Sequence, residues 1–481
     1  MPCATGSINV YVPSANMPWN RLRAAHLYRR MAFGATHQQI NAALAQTPAA
    51  VIDQIVNAAM VAPLPAPPIW YDWTREPIDD YPDFNSDVFY HRDQWGIRWI
   101  TDMFTYSFRE RMALFWINHF VAKWSTYLCS AYLYEYHKLM QVHALGNFKN
   151  FVHAVGITPA MLVFLNGNLN TKDSPNENYA RELFELFTLG QNNGYTQEDI
   201  EETARALTGW QASTDSCAPV SFDDTQFDDG NKTIFGQTAN FDYDGLIDLL
   251  FAQRSSEIAH FICGRLYRHF VAYDIDDTIV AGLAQTFIAN NFEIAPVVRQ
   301  MFKSEHFFDT YNIGHLYKSP VENFLNFFHT LTIPYDNGTI TGFFYASVNH
   351  GQLLFEPPNV AGWPGHRFWI NETTLTYRWQ DIGFFIQYFP YSVFDYLIAM
   401  IREVTNDNYT VDLAARTLVD FVLVKGLPRE DDYDVATVIF KANIPQNYFD
   451  DGSWSLQWDE AREQVRALLY HLVKLPEYQL N

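Results

Sequence analysis

Apolar residues recur three and four positions apart along most of the chain, the spacing that lines one face of a helix. No stretch sustains the every-second-residue alternation of a half-buried strand. Arg21 to Phe33 reads as a first helix stopped by Gly34, and Thr36 caps a second that runs to about Met60. From Val61 to Phe84 the period gives way to prolines and tryptophans, which predicts an extended segment laid over the surface. Ser86 to Ser125 and Ala131 to Asn150 are helical again. Asn118 and His119 interrupt the apolar face of the first, and the second carries His137 and His143. Ser213 to Asp244 is rich in Asp, Thr, Asn and Gly and predicts a long loop with a short hairpin, an insertion able to cover a site. Helices then resume, one of them opened by Ser319 with Pro320 in its first position. Phe355 to Trp369 is dense in Pro, Gly and Trp and predicts an ordered turn, and Asp459 to Val473 forms the last helix. About fifteen helices with no repeat period and no flexible linker predict an all-α fold in one large domain over 1–481. Within it a helical half over 20–212 precedes the acidic loop at 213–244 and a second helical half over 245–481.

The stretch from Asn166 to Trp210 carries the densest polar pattern. Ser174 as N-cap, Pro175 behind it and Glu177 in the third position predict a helix start, and Gly190 predicts its end. At about 100° per residue, Glu177, Arg181 and Glu185 share a stripe with Asn178 and Glu182 beside it, opposite Tyr179, Leu183, Leu186 and Phe187. A second helix opens at Thr196 with Asp199 three residues on and carries Glu201, Glu202 and Arg205. Two adjacent helices thus present carboxylates and an arginine each. The arrangement suits acid/base chemistry, and it equally suits two wet faces laced by ion pairs, Arg181 to Glu177 and Glu185, and Arg205 to Glu201 and Glu202.

Composition narrows the functional classes. A net charge of −22 disfavours nucleic acid and anionic membranes as partners, since phosphate contacts need Lys and Arg. Aromatic residues make up 16% of the chain, enough to offer flat surfaces to sugars as well as to fill a core. The four cysteines, Cys3, Cys129, Cys217 and Cys263, form no CxxC motif and allow one or two disulfides in an exported protein. The first thirty residues show no basic start followed by an apolar run, and no apolar run is long enough to span a bilayer. The nearest, Ile382 to Phe394, is short and holds Gln387 and Pro390.

The runs HLYRRMAFG, ALFWINHF, MQVHALGNFKNFVHAV, NENYARELFELFTLG, YTQEDIEETARALTGW, FDDGNKTIFGQ, FEPPNVAGWPGHRFWIN and LPEYQL keep their order over almost the whole chain. In these the sequence resembles the bacterial DUF-eighteen-hundred family, a domain family of unknown function. The resemblance implies a largely helical, exported bacterial protein, often encoded beside an exported sulfatase-like family that would be its partner. Two positions depart from the family's pattern. Ile117 stands where a histidine usually opens the His-Asn-His run, and Phe227 stands where a histidine usually precedes Asp228.

Three chemistries are open to these residues. Glycoside hydrolysis needs two carboxylates about 5–5.5 Å or 6.5–9.5 Å apart. Glu182 and Glu185, or Glu182 with Asp199 from the second helix, are the candidate acid and base, with Arg181 positioning them. Glu177, Asn178, His143 and Arg205 are candidate binding groups beside them. A metal-dependent oxidoreductase would use His119 and His143 with the same glutamates to hold a divalent metal, although no Glu-x-x-His or His-Glu-x-x-His motif is present. The acidic loop residues Asp223, Asp224, Asp228 and Asp229 would suit calcium but lack the alternation of a calcium loop. Trp70, Trp73, Trp363, Trp369 and Trp379 lie in or near irregular stretches where an exposed ring can stack on a sugar, with Asn359, Arg367 and Asn371 as polar handles. There is no Gly-x-Ser-x-Gly and no phosphate-cradling glycine loop. The leading expectation is an extracytoplasmic protein that binds or processes a polymer, a glycan above all, through a carboxylate- and aromatic-lined cleft. The alternatives are the metal enzyme and a non-catalytic surface or assembly protein.

Overall fold

The computed structural model describes residues 4–75 and 83–481. The expected all-α architecture is what forms: the described residues make 22 α-helices and two small antiparallel hairpins, Trp210–Gln211 with Ser221–Phe222 and Lys232–Ile234 with Gln237–Ala239. One continuous apolar cluster runs from Tyr11 to Tyr478, so the two helical halves share a core. Asp53 pairs across it with Arg299 at 2.5 Å and Lys303 at 2.7 Å.

Helices outnumber the expectation because polar caps divide what periodicity alone reads as continuous. The segment from Thr36 to Met60 splits into His37–Leu44 and Pro48–Val61, the second capped by Thr47 with Pro48 in its first turn. The segment from Ala131 to Phe164 splits into three. Asn147 caps Phe148–Gly156, and Thr158 caps Pro159–Phe164. Phe84–His119 is the longest helix and bends where Tyr106 and Ser107 leave helical backbone angles. The helices Glu372–Tyr388 and Tyr391–Val404 meet at 93° around Pro390, and no single described helix is long and apolar enough to cross a membrane.

The proline- and tryptophan-rich segment is held by its neighbours. Residues 76–82 of it lie outside the described residues. Trp70 is buried, stacked on His91 at 4.9 Å and edge-on to Trp95 at 5.8 Å. The Arg109 guanidinium donates to the carbonyls of Ala62 and Pro63. Trp70 therefore pins the chain to the helical body and offers no stacking face to solvent. The acidic loop is tied down too. A Cys129–Cys217 disulfide joins its start to the helix Ser130–Val142, and Cys263 is buried as a free thiol.

Among the contacts that order the Pro-Gly-Trp turn, one positions Trp363. Asn118, near the end of the long helix, accepts the Trp363 N–H at 2.6 Å and donates to its carbonyl at 3.3 Å. Gly362 lies beneath this clamp at φ +85°, and a Cβ there would stand 2.3 Å from Asn118 Oδ1. Left-handed backbone and steric conflict act together at this position. Gly362→Ala is expected to cost about 1–3 kcal/mol in urea unfolding. An unchanged midpoint would mean that the clamp is not as drawn.

Candidate functional site

The acidic helix pair folds onto itself. Ser174 does not cap the first helix. It forms an isolated bridge with Thr171, and the helix begins at Asn178, after Asn170 and Asn176 have taken the free N–H groups of Asn176 and Asn178. Leu183–Thr188 is widened to a π-helix, because Thr188 Oγ1 caps the Leu183 carbonyl at 2.5 Å and His119 Nε2 takes the Phe187 carbonyl at 3.0 Å. Arg181 bridges Glu177 at 2.8 Å and Glu185 at 3.3 Å and also reaches Gln197. The expected capping box at Thr196 forms, and it engages both oxygens of Asp199. Oδ2 accepts from Thr196, and Oδ1 accepts the Phe235 N–H at 2.6 Å. Arg205 pairs with Glu202 at 2.9 Å and Asp228 at 2.7 Å, while Glu201 goes to Gln197 instead. The lacing reading of this pair is therefore what the geometry supports. Glu182 alone has no hydrogen bond or ion pair among the described residues. Burial raises its carboxyl above the usual range, Glu185 adds to that, and Arg181 opposes both. None of Glu177, Asn178, Arg181, Glu182, Glu185, Asp199 and Arg205 lines the cavity at Arg111 and Trp363 or the one at Arg21 and Phe421.

The histidines do not converge either. His119 is buried against Phe187, and burial with the nearby Arg265 guanidinium pushes its imidazole down to about 3. His143 is half-buried and stacks on Phe151 at 5.0 Å. Among the described residues no group of three or more His, Cys, Asp or Glu side chains could hold a metal ion, the acidic loop included. Asn371 is committed to capping Glu372–Tyr388 in a box with Thr374, and Arg367 is exposed.

Trp363, expected as an exposed stacking ring, is instead buried and lines a cavity of about 220 Å³. Five parts of the chain build most of its lining. Arg111, Leu114, Phe115 and Asn118 come from one stripe of the long helix. Arg265, Arg268 and His269 come from Ser255–Phe270. Arg30 closes Arg21–Ala32, and Ser319 with Glu322 opens Pro320–Thr330. The clamped turn supplies Trp363, Pro364, His366 and Trp369 as a fifth wall. Tyr273 stacks on His366 at 4.2 Å beside it.

This cavity is cationic in an acidic protein. Four guanidiniums face one carboxylate, Glu322. Glu322 is held in a capping box by the Ser319 N–H at 2.6 Å and makes an ion pair with Arg111. Burial would raise its carboxyl, but the Arg111 guanidinium and the hydrogen bonds from Ser319 outweigh that and hold it below the usual range. Arg111 and Arg30 are fully buried. The Nε and Nη1 atoms of both, and Nε2 of His269, are buried with no hydrogen-bond partner. Burial, with Arg111 beside it, lowers Arg30 to about 9 against the pull of Glu322, so it stays charged at neutral pH. Burial and the same guanidinium push His269 down to about 3, so it is neutral there. Behind the wall, Arg378 donates to the Lys318 and Gln479 oxygens, and Arg29 donates to the carbonyls of Phe421 and Val422. Around this recess, four guanidinium side chains thus stand beside one carboxylate side chain, so the positive charge of the lining is only partly compensated.

Fold and site together define a large all-α protein with a basic cavity between its two halves. The chain belongs to the family whose model is described as "Protein of unknown function (DUF1800)", which matches residues 26–480. No curated protein and no solved structure matches it.

The arginines of the cavity escaped sequence reasoning although the runs that carry them, HLYRRMAFG and RERMALFW, are conspicuous. The signal is present: Arg111 shares a face with Leu114, Phe115 and Asn118, and Arg265, Arg268 and His269 share another. A cation on an apolar stripe marks a buried charge that needs a partner.

His119, His137 and His269 are each neutral in the fold with imidazoles near about 3, by burial first and nearby arginines second. An unfolded imidazole titrates near about 6.5, so the unfolded chain binds more protons as pH falls. The stability they contribute is full above about pH 6.5 and is lost progressively toward pH 3. At pH 5 each costs about 2 kcal/mol. Urea midpoints at pH 7 and pH 5 measure this, and equal midpoints would contradict the buried neutral assignment.

Proposed function

We propose that this protein is an exported binding protein for an acidic ligand, a sugar or the end of a glycan that carries an anionic group, held in the arginine-lined cavity. The carrying observation is that Arg30, Arg111, Arg265 and Arg268 line one recess with Glu322 as its one carboxylate side chain, while guanidinium nitrogens of Arg30 and Arg111 lie buried without a hydrogen-bond partner. An unpaired buried donor on a charged group is costly, and an oxyanion removes that cost. Trp363 and Trp369 present aromatic surface in the same wall, which suits a ring. The net charge of −22 repels a long polyanion, and screening over about 8 Å confines the attraction to the cavity itself. The ligand therefore carries its charge locally. The glycan expectation is kept in this form, with guanidiniums and not carboxylates as the recognising groups. Export is supported by the Cys129–Cys217 disulfide, which an oxidising compartment allows and a reducing one disfavours.

Thermal unfolding with glucuronate, glucose 6-phosphate and glucose tests the ligand class. Millimolar amounts of the two acids are expected to raise the unfolding temperature through preferential binding to the folded state, and glucose is not. Arg265→Gln is expected to abolish the shift with the helix content kept in circular dichroism. Equal shifts from glucose, or shifts retained in the variant, would overturn the proposal. Export is checked separately. A non-reducing digest of protein taken from its native host should yield a peptide linking Cys129 and Cys217, and two free thiols at those positions would argue against it.

A further inference from the structure

Resting on the anion-binding reading above, we infer that the cavity is built for the doubly charged tetrahedral oxyanion of a phosphate monoester, borne on an otherwise uncharged ligand, and not for a carboxylate. Three features of the cavity lead to this.

The first is direction. Arg30, Arg111 and the Arg265/Arg268 pair reach the cavity from three different helices. A carboxylate is planar and offers two oxygens in that one plane, a good match for a single guanidinium fork. A phosphate monoester offers three free oxygens spread over a hemisphere, so separate guanidiniums can each find one.

The second is charge. Among the lining side chains four guanidiniums stand against one carboxylate, Glu322, which is already held by Arg111 and the Ser319 N–H. One further negative charge leaves most of the positive excess uncompensated in a buried site. A phosphate monoester brings about −1.5 to −2 near neutral pH. A sulfate monoester shares the tetrahedral shape but carries a single charge, which lets shape and charge be tested apart.

The third is graded depth. Arg30 and Arg111 are fully buried, whereas Arg268 and Pro364 are exposed and His366 is half-buried under the 41%-exposed ring of Tyr273. The about 220 Å³ of the cavity equals roughly seven waters at about 30 Å³ each. That holds the phosphate and the first atoms of its carrier. The remainder leaves past Arg268 and the Tyr273–His366 stack.

The test is isothermal titration calorimetry at fixed ionic strength with glucose 6-phosphate, glucose 6-sulfate and glucuronate, which share a sugar and differ in the acid. Glucose 6-phosphate is expected to bind at least about tenfold more tightly than either of the others. Arg268→Gln, at the exposed rim where folding is not at stake, is expected to weaken it about fivefold, and Arg111→Lys, which keeps the buried charge but loses the planar fork, by more. Arg416→Gln, remote from the cavity and paired with Glu430, serves as a control expected to change nothing. If the sulfate matches the phosphate while glucuronate stays weak, the charge argument fails and the inference falls. If glucuronate matches both, the shape argument falls with it, and the anion-binding reading stands. If none of the three binds, both the inference and the reading beneath it are overturned.

Discussion

Arg111 is buried to 1% exposure with a single carboxylate, Glu322, as its ionic partner, and the architecture around that pair follows from the need to keep it dry and oriented. Removing a guanidinium from water costs several kcal/mol unless charge and hydrogen bonds are returned to it. Glu322 returns one interaction, and it is fixed for the task by the Ser319 capping box at the start of its own helix. Asn118, two turns beyond Arg111, clamps the Trp363 backbone and so fixes the wall that closes the site. The same long helix therefore supplies the charge and, through Asn118, the enclosure.

Positive charge inside and negative charge outside are complementary choices. On the proposed reading, an acidic surface disfavours nucleic acid and long polyanions, while the recessed arginines favour a compact anion able to enter. The acidic helix pair belongs to the outer part of this division. Its arginines, Arg181 and Arg205, each answer two carboxylates at partly exposed positions, where such pairs add about 0–1 kcal/mol. Asp199 does more, since it joins the helix start to the Phe235 N–H of the acidic loop. Together with the Cys129–Cys217 bridge, this makes the loop a fastened part of the body.

Much of the architecture was legible in the chain. Periodicity showed an all-helical body, and caps such as Thr36, Thr196 and Ser319 behave as their sequence context predicts. Other boundaries were missed where local chemistry overrides the period. Pro48 after Thr47 begins a new helix within a continuous apolar pattern, and Ser174 loses the capping role to Asn170 and Asn176, the first of which donates to the distant Ala204 carbonyl. The site was less legible for a different reason. Carboxylates on a visible stripe attract attention, yet their partners lie within the same few turns, so the stripe is self-sufficient. The cavity is assembled from Arg30, Arg111, Arg265 and Glu322, which are far apart in sequence, and helical periodicity carries no information about which faces meet. Trp363 was singled out for its irregular surroundings and does reach the cavity, although as a buried wall and not as an open stacking face.

The central claim is that the buried guanidiniums of Arg30 and Arg111 exist to meet an anion. Anomalous diffraction from crystals soaked in selenate, a tetrahedral dianion, tests it most directly. The account predicts a selenium peak inside the cavity within hydrogen-bond reach of both side chains. Selenate found only on the outer surface, with the cavity left to water at saturating concentration, would contradict it.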